Sequence, residues 1–335
     1  MFRIIKVAVP IAAVGAIGFA GMHLMPRAAA APSNDHTAHA AAPALTASQH
    51  IAHLAAAGDI HANHAMDEIR WAAFARQAAP ASASLPADDM GAVERLKTSP
   101  RKGEFVTINV GGTPMRTWVV HPQGAARAPV VVVIQEIFGL SDWIRAVADQ
   151  LAAEGFIAVA PDLLAGRGPN GGDSTSIAGN ETMKVTLSLS EADLMARVKA
   201  ARDYGLKLPQ ANGKSASVGF CFGGAASFTL AANEPNLNAA VVYYGQAPTS
   251  EEALARIKAP VLGLYGGLKE DARIGATIAP TEASMKKLGK AYEPHIFEGA
   301  AHGFLRAQTG ANGANMKASQ QAWPLTVAWI KKYAS

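Results

Sequence analysis

The stretch GFCFGG, residues 219–224, contains the only cysteine of the 335-residue chain. The residues before Cys221 predict a buried strand, and the following AASFTLAA predicts a helix. Cys221 therefore falls on a sharp strand-to-helix turn, where a side chain projects clear of the sheet. Gly219 and Gly223 flank it at a distance of two residues and remove the Cβ atoms that would collide in such a turn. The pattern predicts a nucleophile elbow with cysteine in place of serine.

The helix that follows Cys221 adds two effects to this turn. Its N-terminus stabilises negative charge, which favours the thiolate form of the cysteine. The backbone N–H of Phe222 lies in the first helical turn and is a candidate donor to an oxyanion. A lone cysteine cannot form an internal disulfide, so Cys221 is a free thiol. The alternative is a small buried hydrophobic residue, which is the usual role of a single cysteine.

An elbow of this kind predicts the chain order nucleophile, acid and histidine. Asp271 follows a predicted strand at 261–265, and His302 lies in the turn after the strand of HIFEGAAHGF. His302 would act as the base, and Asp271 would hold its other ring nitrogen. Glu270 is the alternative acid, but the shorter side chain of Asp271 is better fixed. The alternative for His302 is a solvated surface histidine.

The elements that must position these residues begin at about residue 100. The run VVVVI at 130–134 is continuously apolar, as expected of a strand buried on both faces. Alternating strands and helices predict an α/β fold, a doubly wound and mostly parallel sheet with helices on both faces. An antiparallel hairpin around Gly111 and Gly112 precedes it. Strands are predicted at 104–109, 115–121, 130–134, 156–160, 215–220, 239–244, 261–265 and 295–297, and helices after Ser141, at 191–206, from Gly223, near 281–288 and up to Tyr333.

The segment before residue 100 has a different composition. Residues 1–27 combine a basic start, an apolar run and a small-residue end, which predicts an export signal or an uncleaved membrane anchor. The protein would then be periplasmic or secreted. Residues 28–99 predict an Ala/Pro/His-rich extension with short helices at 49–57 and 66–78, and residues 100–335 the catalytic domain. Three histidine pairs in this extension have i, i+3 spacing: His36/His39, His50/His53 and His61/His64.

Composition limits the partners of the chain. These histidine pairs could hold a soft metal, but without cysteine or HExxH they are more typical of a solvated polar face. Hydrophobic residues make up 50% of the chain and charged residues 17%, which is globular composition. The formal net charge is +4, and three basic residues at 1–27 supply +3 of it, so the rest of the chain has a net charge of +1. The remainder has no basic surface suited to nucleic acid.

Six motifs resemble, in sequence and in order, those of the dienelactone hydrolases (carboxymethylenebutenolidases), a family with the α/β-hydrolase fold. They are QEIFGLSDWIR, APDLL, GFCFGG, YYG, LYGG followed by DARI, and AHGFLR. The resemblance covers residues 100–335. It implies hydrolysis of a small lactone or ester through a triad of Cys221, His302 and Asp271, with no metal and no organic cofactor.

The resemblance also implies roles for three further residues. Glu136 matches a glutamate that holds the resting thiol and takes its proton when substrate arrives. The backbone N–H of Ile137 matches the second oxyanion donor, beside that of Phe222. Arg306 matches an arginine that pairs with a carboxylate of the substrate. Without the resemblance Glu136 and Arg306 could be surface charges, although a carboxylate directly after VVVVI favours a site role.

The chain departs from the family between APDLL and the next long helix. The family has a second carboxylate-binding arginine there, whereas residues 165–185 contain five glycines and only Arg167, which is too early to match. This long stretch is typical of a lid. The departure predicts only a modest preference for anionic substrates.

The expected reaction passes through a thioester on Cys221, which His302 then helps water to hydrolyse. Because thiolate is a better leaving group than an ordinary alkoxide, the intermediate reverts to substrate unless the substrate itself has a good leaving group. Enol esters and enol lactones meet this demand, and peptides do not. The nearest alternative is a broad-specificity exported carboxylesterase. A redox thiol in a binding module, or a His-rich metal carrier, would leave Asp271 and His302 without a role.

Overall fold

The computed structural model of the protein describes residues 84–124 and 127–335. The predictions for the export signal, the two helices at 49–57 and 66–78 and the three histidine pairs lie outside these residues. The predicted boundary between the extension and the catalytic domain, at residue 99, falls inside the described residues, just after their first helix.

An eight-stranded sheet forms the centre of the described chain, in the order β1-β2-β4-β3-β5-β6-β7-β8. The pairs β1–β2 and β2–β4 are antiparallel and all the others are parallel. This confirms the α/β fold with a mostly parallel sheet. The strands are β1 Glu104–Val110, β2 Thr113–Val120, β3 Ala128–Ile134, β4 Ile157–Pro161, β5 Ala211–Phe220, β6 Ala239–Tyr243, β7 Val261–Gly266 and β8 Tyr292–Phe297.

In the described part of the chain, eight α-helices accompany the sheet and cover both of its faces. They are α1 Ala92–Thr98, α2 Asp142–Ala153, α3 Glu181–Leu187, α4 Glu191–Leu206, α5 Phe222–Asn233, α6 Glu251–Arg256, α7 Ala272–Lys287 and α8 Ala314–Ala334. The alternation of side chains along β3 explains the two layers, since Val131 and Val133 pack with α2 and α8. Val130, Val132 and Ile134 pack with α4, α5 and α7 on the other face.

Three short helices were not expected from the sequence, and a fourth helix begins earlier than predicted. The helices α1, α3 and α6 were not predicted because each has only six or seven residues and too few apolar positions for a period. Helix α7 begins at Ala272, whereas the pattern predicted a helix only near 281–288. It contains Pro280, a residue that ordinarily ends a helix. Among the described residues, no helix is long and apolar enough to cross a membrane.

The parallel strands bring the predicted catalytic residues to one edge of the sheet. Glu136 follows β3, Cys221 follows β5, Asp271 follows β7 and His302 follows β8. The carboxyl ends of parallel strands meet at the same edge, which is where sites form in open α/β sheets. The fold therefore places all four residues on the same side of the molecule.

Candidate active site

Cys221 lies between β5 and α5 in a backbone conformation that ordinary residues avoid. Its φ is 55° and its ψ is −112°. The neighbouring strand stabilises this conformation, because the Cys221 N–H donates to the carbonyl of Tyr243 over 3.0 Å. Its carbonyl accepts from the N–H of Ala225, which starts the helix. The thiol is half-buried and free. Strain of this kind, held by surrounding structure, is concentrated at functional sites.

The glycines around Cys221 are required by close backbone contacts. A Cβ at Gly219 would lie 1.8 Å from the carbonyl oxygen of Gly223, and one at Gly223 would lie 2.2 Å from that of Ile134. A Cβ at Gly224 would lie 2.5 Å from the carbonyl oxygen of Tyr243. Because these partners are backbone atoms, no side chain can move aside. The sequence GFCFGG thus fits the turn against both neighbouring strands.

The two predicted oxyanion donors lie on chain segments in direct contact. Ile134 of β3 is in register with Gly219 of β5. Ile137 and Phe222 each follow that pair by three residues, and both segments turn at the same edge. The hydroxyl of Thr186 on α3 is shared between the carbonyl of Thr182, at 2.8 Å, and that of Ile137, at 3.2 Å, so α3 contacts the segment that carries Ile137. Nothing in the sequence pattern indicated this role of Thr186.

His302 and Asp271 are in contact, as their chain order predicted. Nδ1 of His302 lies 2.6 Å from Oδ2 of Asp271. The Asp271 side chain is only 7% exposed, whereas Glu270 beside it is exposed. The geometry therefore places Asp271, and not Glu270, behind the imidazole. This leaves Nε2 of His302 for the reaction.

The turns after β7 and β8 hold this pair together. The N–H of Gly267 donates to the carbonyl of Ala300 over 2.9 Å, which joins the two turns. The N–H of Ala301, next to the histidine, donates to Oδ1 of Asn315 at the start of α8. Because both turns are fixed by backbone hydrogen bonds, the imidazole and its carboxylate stay aligned.

The surroundings of His302 favour its charged form. Burial disfavours the imidazolium, but hydrogen bonds to Asp271 and to the side chain of Cys221, with the charges of both groups, raise the pKa of His302 to about 9. At neutral pH the ring is therefore protonated. A protonated imidazole next to the cysteine can stabilise a thiolate and can donate a proton to a leaving group.

Glu136 is a buried carboxyl at the same edge of the sheet. It is 3% exposed, and burial raises its pKa to about 7 in spite of the neighbouring charges of Arg306 and His302. Nε of Arg306 lies 2.9 Å from Oε2 of Glu136 as an ion pair, without the alignment of a hydrogen bond. A carboxyl that titrates near neutral pH can hold or release a proton during a reaction.

Tyr244 is a site residue that the sequence reasoning did not single out. Its ring packs on that of His302 with centroids 4.9 Å apart. Its buried hydroxyl has no hydrogen-bond partner, and burial, with the nearby charges of Glu136 and Cys221, raises its pKa well above 10.0. The signal was available in the motif YYG at the end of a strand. An unpartnered buried hydroxyl beside a catalytic edge is a candidate donor to substrate.

The predicted lid is folded against the segment that carries Ile137. Residues 165–185 form two 3₁₀ turns and most of α3. Both the N–H and the hydroxyl of Ser174 donate to the buried carboxyl of Asp162. Arg167 pairs with Asp193 on α4 over 2.7 Å, so it does not replace the family's second arginine.

A cleft of about 300 Å³ opens beside Phe138, between the lid and β2. Two arginines line it, but Arg116 already pairs with Asp173, and Arg145 with Asp142. The cleft therefore presents no uncompensated positive charge to a substrate. Among residues 84–124 and 127–335, no group of three or more His, Cys, Asp or Glu side chains is placed to hold a metal ion.

Comparison with known proteins decides the family. The model of the dienelactone hydrolase family matches residues 115–334. The chain belongs to the dienelactone hydrolase family. This confirms the resemblance seen in the six motifs, and with it the assignment of the chain as a hydrolase of carboxylic esters or lactones.

Individual relatives agree with this assignment. A protein of Saccharolobus solfataricus is 29% identical over 251 residues, which are 66% of this chain and 95% of the relative. One of Escherichia coli O157:H7 is 30% identical over 244 residues, 68% of this chain and 86% of the relative. Both bear the name "putative carboxymethylenebutenolidase". A dienelactone hydrolase structure from Klebsiella pneumoniae, likewise titled putative, is 25% identical with a TM-score of 0.62 and covers 70% of this chain and 99% of its own.

Proposed function

We propose that the protein opens a lactone or cleaves an activated carboxylic ester through a thioester on Cys221, with His302 and Asp271 as its catalytic partners. The observation that carries this proposal is the contact of 2.6 Å between Asp271 and His302, next to a cysteine on a strained turn. The names of the relatives support the substrate class.

In the first step the thiolate of Cys221 attacks the carbonyl carbon of the substrate. The carbonyl oxygen becomes an oxyanion, which the backbone N–H groups of Ile137 and Phe222 stabilise. The carbon–oxygen bond to the leaving group then breaks, and His302 donates its proton to the departing oxygen. The products are the acyl thioester and an alcohol or enol. In a lactone both remain in one molecule.

In the second step His302, now neutral, takes a proton from water. The hydroxide equivalent attacks the thioester, and the bond to sulfur breaks. The cysteine leaves as a thiolate, the carboxylic acid is released, and His302 is protonated again. Asp271 stabilises the imidazolium in both resting and final states.

Glu136 is proposed to control the proton of the resting thiol. Its pKa of about 7 lets it accept a proton at neutral pH, and the charges of Glu136 and Cys221 both raise the pKa of Tyr244, so both groups lie near this side chain. Transfer of the thiol proton to Glu136 would generate the thiolate with no change in net charge. Because the transfer takes place only when substrate arrives, the cysteine remains an inactive thiol until then.

Thioester chemistry limits the useful substrates. Thiolate is a better leaving group than an alkoxide, so the first intermediate returns to substrate unless the leaving group is good. Enol lactones, enol esters and aryl esters meet this demand. The alternative, a broad-specificity carboxylesterase, uses the same residues and differs only in the range of accepted substrates.

The experiment is a screen of lactones and aryl esters, followed by intact-mass measurement of the protein during turnover. We expect hydrolysis with a transient mass increase equal to the acyl group. Cys221→Ala should lose both the turnover and the adduct, while its folding is retained because only one half-buried side chain changes. His302→Ala should be similarly inactive. Hydrolysis that persists in Cys221→Ala would exclude a covalent cysteine mechanism.

A further inference from the structure

Arg306 is surrounded by negative charge from two different parts of the chain. On one side its Nε lies 2.9 Å from Glu136 in the catalytic edge. On the other side its guanidinium lies 3.2 Å from Oδ2 of Asp89, which comes from the segment before α1. The guanidinium also lies 5.0 Å from the ring centre of Phe138, next to the oxyanion segment. Asp89 thus occupies one of the directions from which a substrate carboxylate could approach this cation.

Backbone contacts hold Asp89 in this place. The N–H of Asp89 donates to the carbonyl of Arg306 over 2.9 Å. The carbonyl of Pro86 accepts from the side chain of Gln308 over 2.9 Å. Ala92, the first residue of α1, is fully buried in the core layer below. We call residues 84–91 the N-terminal strap. Contacts on both sides of Asp89 fix the strap. The carboxylate of Asp89 is therefore held beside Arg306, and no further ordering of the chain is needed for the pair to form.

The arrangement has a chemical consequence for specificity. A guanidinium binds carboxylates through its planar set of N–H groups, and a substrate carboxylate needs the same groups that now face Glu136 and Asp89. We propose that Asp89 is an internal competitor for Arg306 that directs the enzyme towards neutral esters and lactones. A substrate that carries a carboxylate must displace Asp89 and approach its negative charge. Repulsion of this kind is a common way to obtain specificity.

This inference rests on the proposed function and on the role that the family resemblance implies for Arg306, which contacts Glu136 at the proposed site. It goes further because it assigns a selective role to a residue outside the region of the family motifs. A purely structural role explains the pair poorly. Exposed ion pairs stabilise proteins little, and the Asp89 side chain is 52% exposed. The strap is already held by its backbone hydrogen bonds, so removal of the charge should affect substrate choice more than folding.

The test uses two substrates that differ only at the far end of the acyl chain: para-nitrophenyl pentanoate, which is neutral, and the para-nitrophenyl monoester of glutaric acid, which carries a carboxylate. The quantity measured is the ratio of kcat/KM for the charged substrate to that for the neutral one. Asp89→Asn should raise this ratio about fivefold, since a partly exposed ion pair is worth up to about that factor. Asp89→Glu, which keeps the charge, should leave the ratio closer to that of the wild type.

Asp88→Asn is the matched control. It removes the same charge from the neighbouring residue, whose carboxylate accepts from the N–H of Gly91 and does not pair with Arg306. Its ratio should remain that of the wild type. Arg306→Ala should lower the ratio and should also weaken the effect of Asp89→Asn in the double variant, because Asp89 and the substrate then no longer compete for the same cation. An unchanged ratio in Asp89→Asn, or an equal rise in Asp88→Asn, would overturn the proposal.

A binding measurement separates this inference from the proposed reaction. The dissociation constant of monomethyl glutarate is measured by calorimetry for Cys221→Ala and for Cys221→Ala/Asp89→Asn. Tighter binding to the second variant, by about the same fivefold factor, supports the role of Asp89 even if no ester is hydrolysed. Equal binding to both, together with normal ester hydrolysis by the wild type, would overturn the role of Asp89 and leave the catalytic proposal intact.

Discussion

At the residue scale, the surroundings of Asp271 and Glu270 predict different effects for the same loss of charge. Asp271 is buried against His302, whereas Glu270 is exposed. Asp271→Asn should lower kcat/KM for an aryl ester by about 10²-fold or more, because the imidazolium loses its stabilising charge. Glu270→Gln should stay within about twofold of the wild type. If Glu270→Gln is the more damaging change, Glu270 is the acid of the triad.

The pH dependence of activity follows from the two shifted groups. Glu136, with a pKa of about 7, must be ionised to accept the thiol proton, so kcat/KM should rise as the pH passes through 7. His302, with a pKa of about 9, must be protonated to assist the leaving group, so kcat/KM should fall above pH 9. Glu136→Gln should remove the rise and keep the fall. A rise near pH 7 that survives in this variant would assign it to another group.

From the sequence, the candidate site residues that directly follow strands could be predicted to lie close to one another. Cys221, Asp271 and His302 could be predicted because strand ends of a parallel sheet meet at one edge. Tyr244, in the motif YYG, also directly follows a strand, but its contact with His302 and the contact of Asp89 with Arg306 could not be predicted in the same way. The position of Tyr244 depends on the packing of its ring against His302, and that of Asp89 on a segment whose composition resembles an extension. Such contacts are set by tertiary packing and have no local pattern.

At the element scale, two helices show why one prediction was accurate and another was only half right. The helix at 191–206 was predicted with its observed bounds; Ser190 caps its first turn, and the buried Leu194, Val198 and Ala201 recur at helical spacing. Helix α7 was predicted only in its second half, because Gly275 and Pro280 interrupt its first half. Local backbone hydrogen bonds fix its start instead, since the N–H of Asp271 donates to the carbonyl of Gly267 and the N–H of Gly275 to that of Asp271.

The lid depends on one buried carboxyl, which gives a test of its attachment. Ser174 binds Asp162 through its hydroxyl over 2.6 Å, whereas the hydroxyl of Ser176 binds only the carbonyl of Asp173 within the same turn. Ser174→Ala should increase amide hydrogen exchange in residues 165–180 and raise KM, because the buried carboxyl of Asp162 loses its hydroxyl donor and keeps only backbone N–H donors. Ser176→Ala, the same change two residues away, should leave the exchange of residues 165–180 close to that of the wild type, because its hydroxyl does not contact Asp162. Equal exchange in the two variants would show that Asp162 does not hold the lid.

At the scale of the whole molecule, the N-terminal region bears on the location of the protein in the cell and on the contacts between the segment before β1 and the rest of the fold. The sequence of residues 1–27 predicts export, and this stays a prediction because the described residues do not include them. Fractionation of cells should find the protein outside the cytoplasm. Recovery of the full chain with Met1 from the soluble cytoplasmic fraction would contradict it.

A buried acid of α2 adds to the contacts of the N-terminal strap in attaching the region before β1. Asp149 on α2 is 2% exposed and accepts hydrogen bonds from Arg95, Ser99 and Arg101. These residues join α1 and the following turn to the body of the fold. Burial alone would raise the pKa of Asp149, but the hydrogen bonds from Arg101, Ser99 and Arg95 outweigh it and lower the pKa below its ordinary 3.8.

This depressed pKa predicts how stability depends on pH. A carboxyl whose pKa is lower in the folded protein stabilises the fold above its unfolded pKa, and this contribution is lost as the pH falls through the folded value. Asp149→Asn should therefore lower the free energy of unfolding at pH 7 by about 2 kcal/mol, and by less at pH 3, as measured by urea denaturation. Asp142→Asn, on the same helix, removes an exposed partner of Arg145 and should cost less than about 1 kcal/mol at either pH. If Asp149→Asn destabilises the protein equally at both pH values, the loss comes from packing, and the charge of Asp149 does not hold the N-terminal region in place.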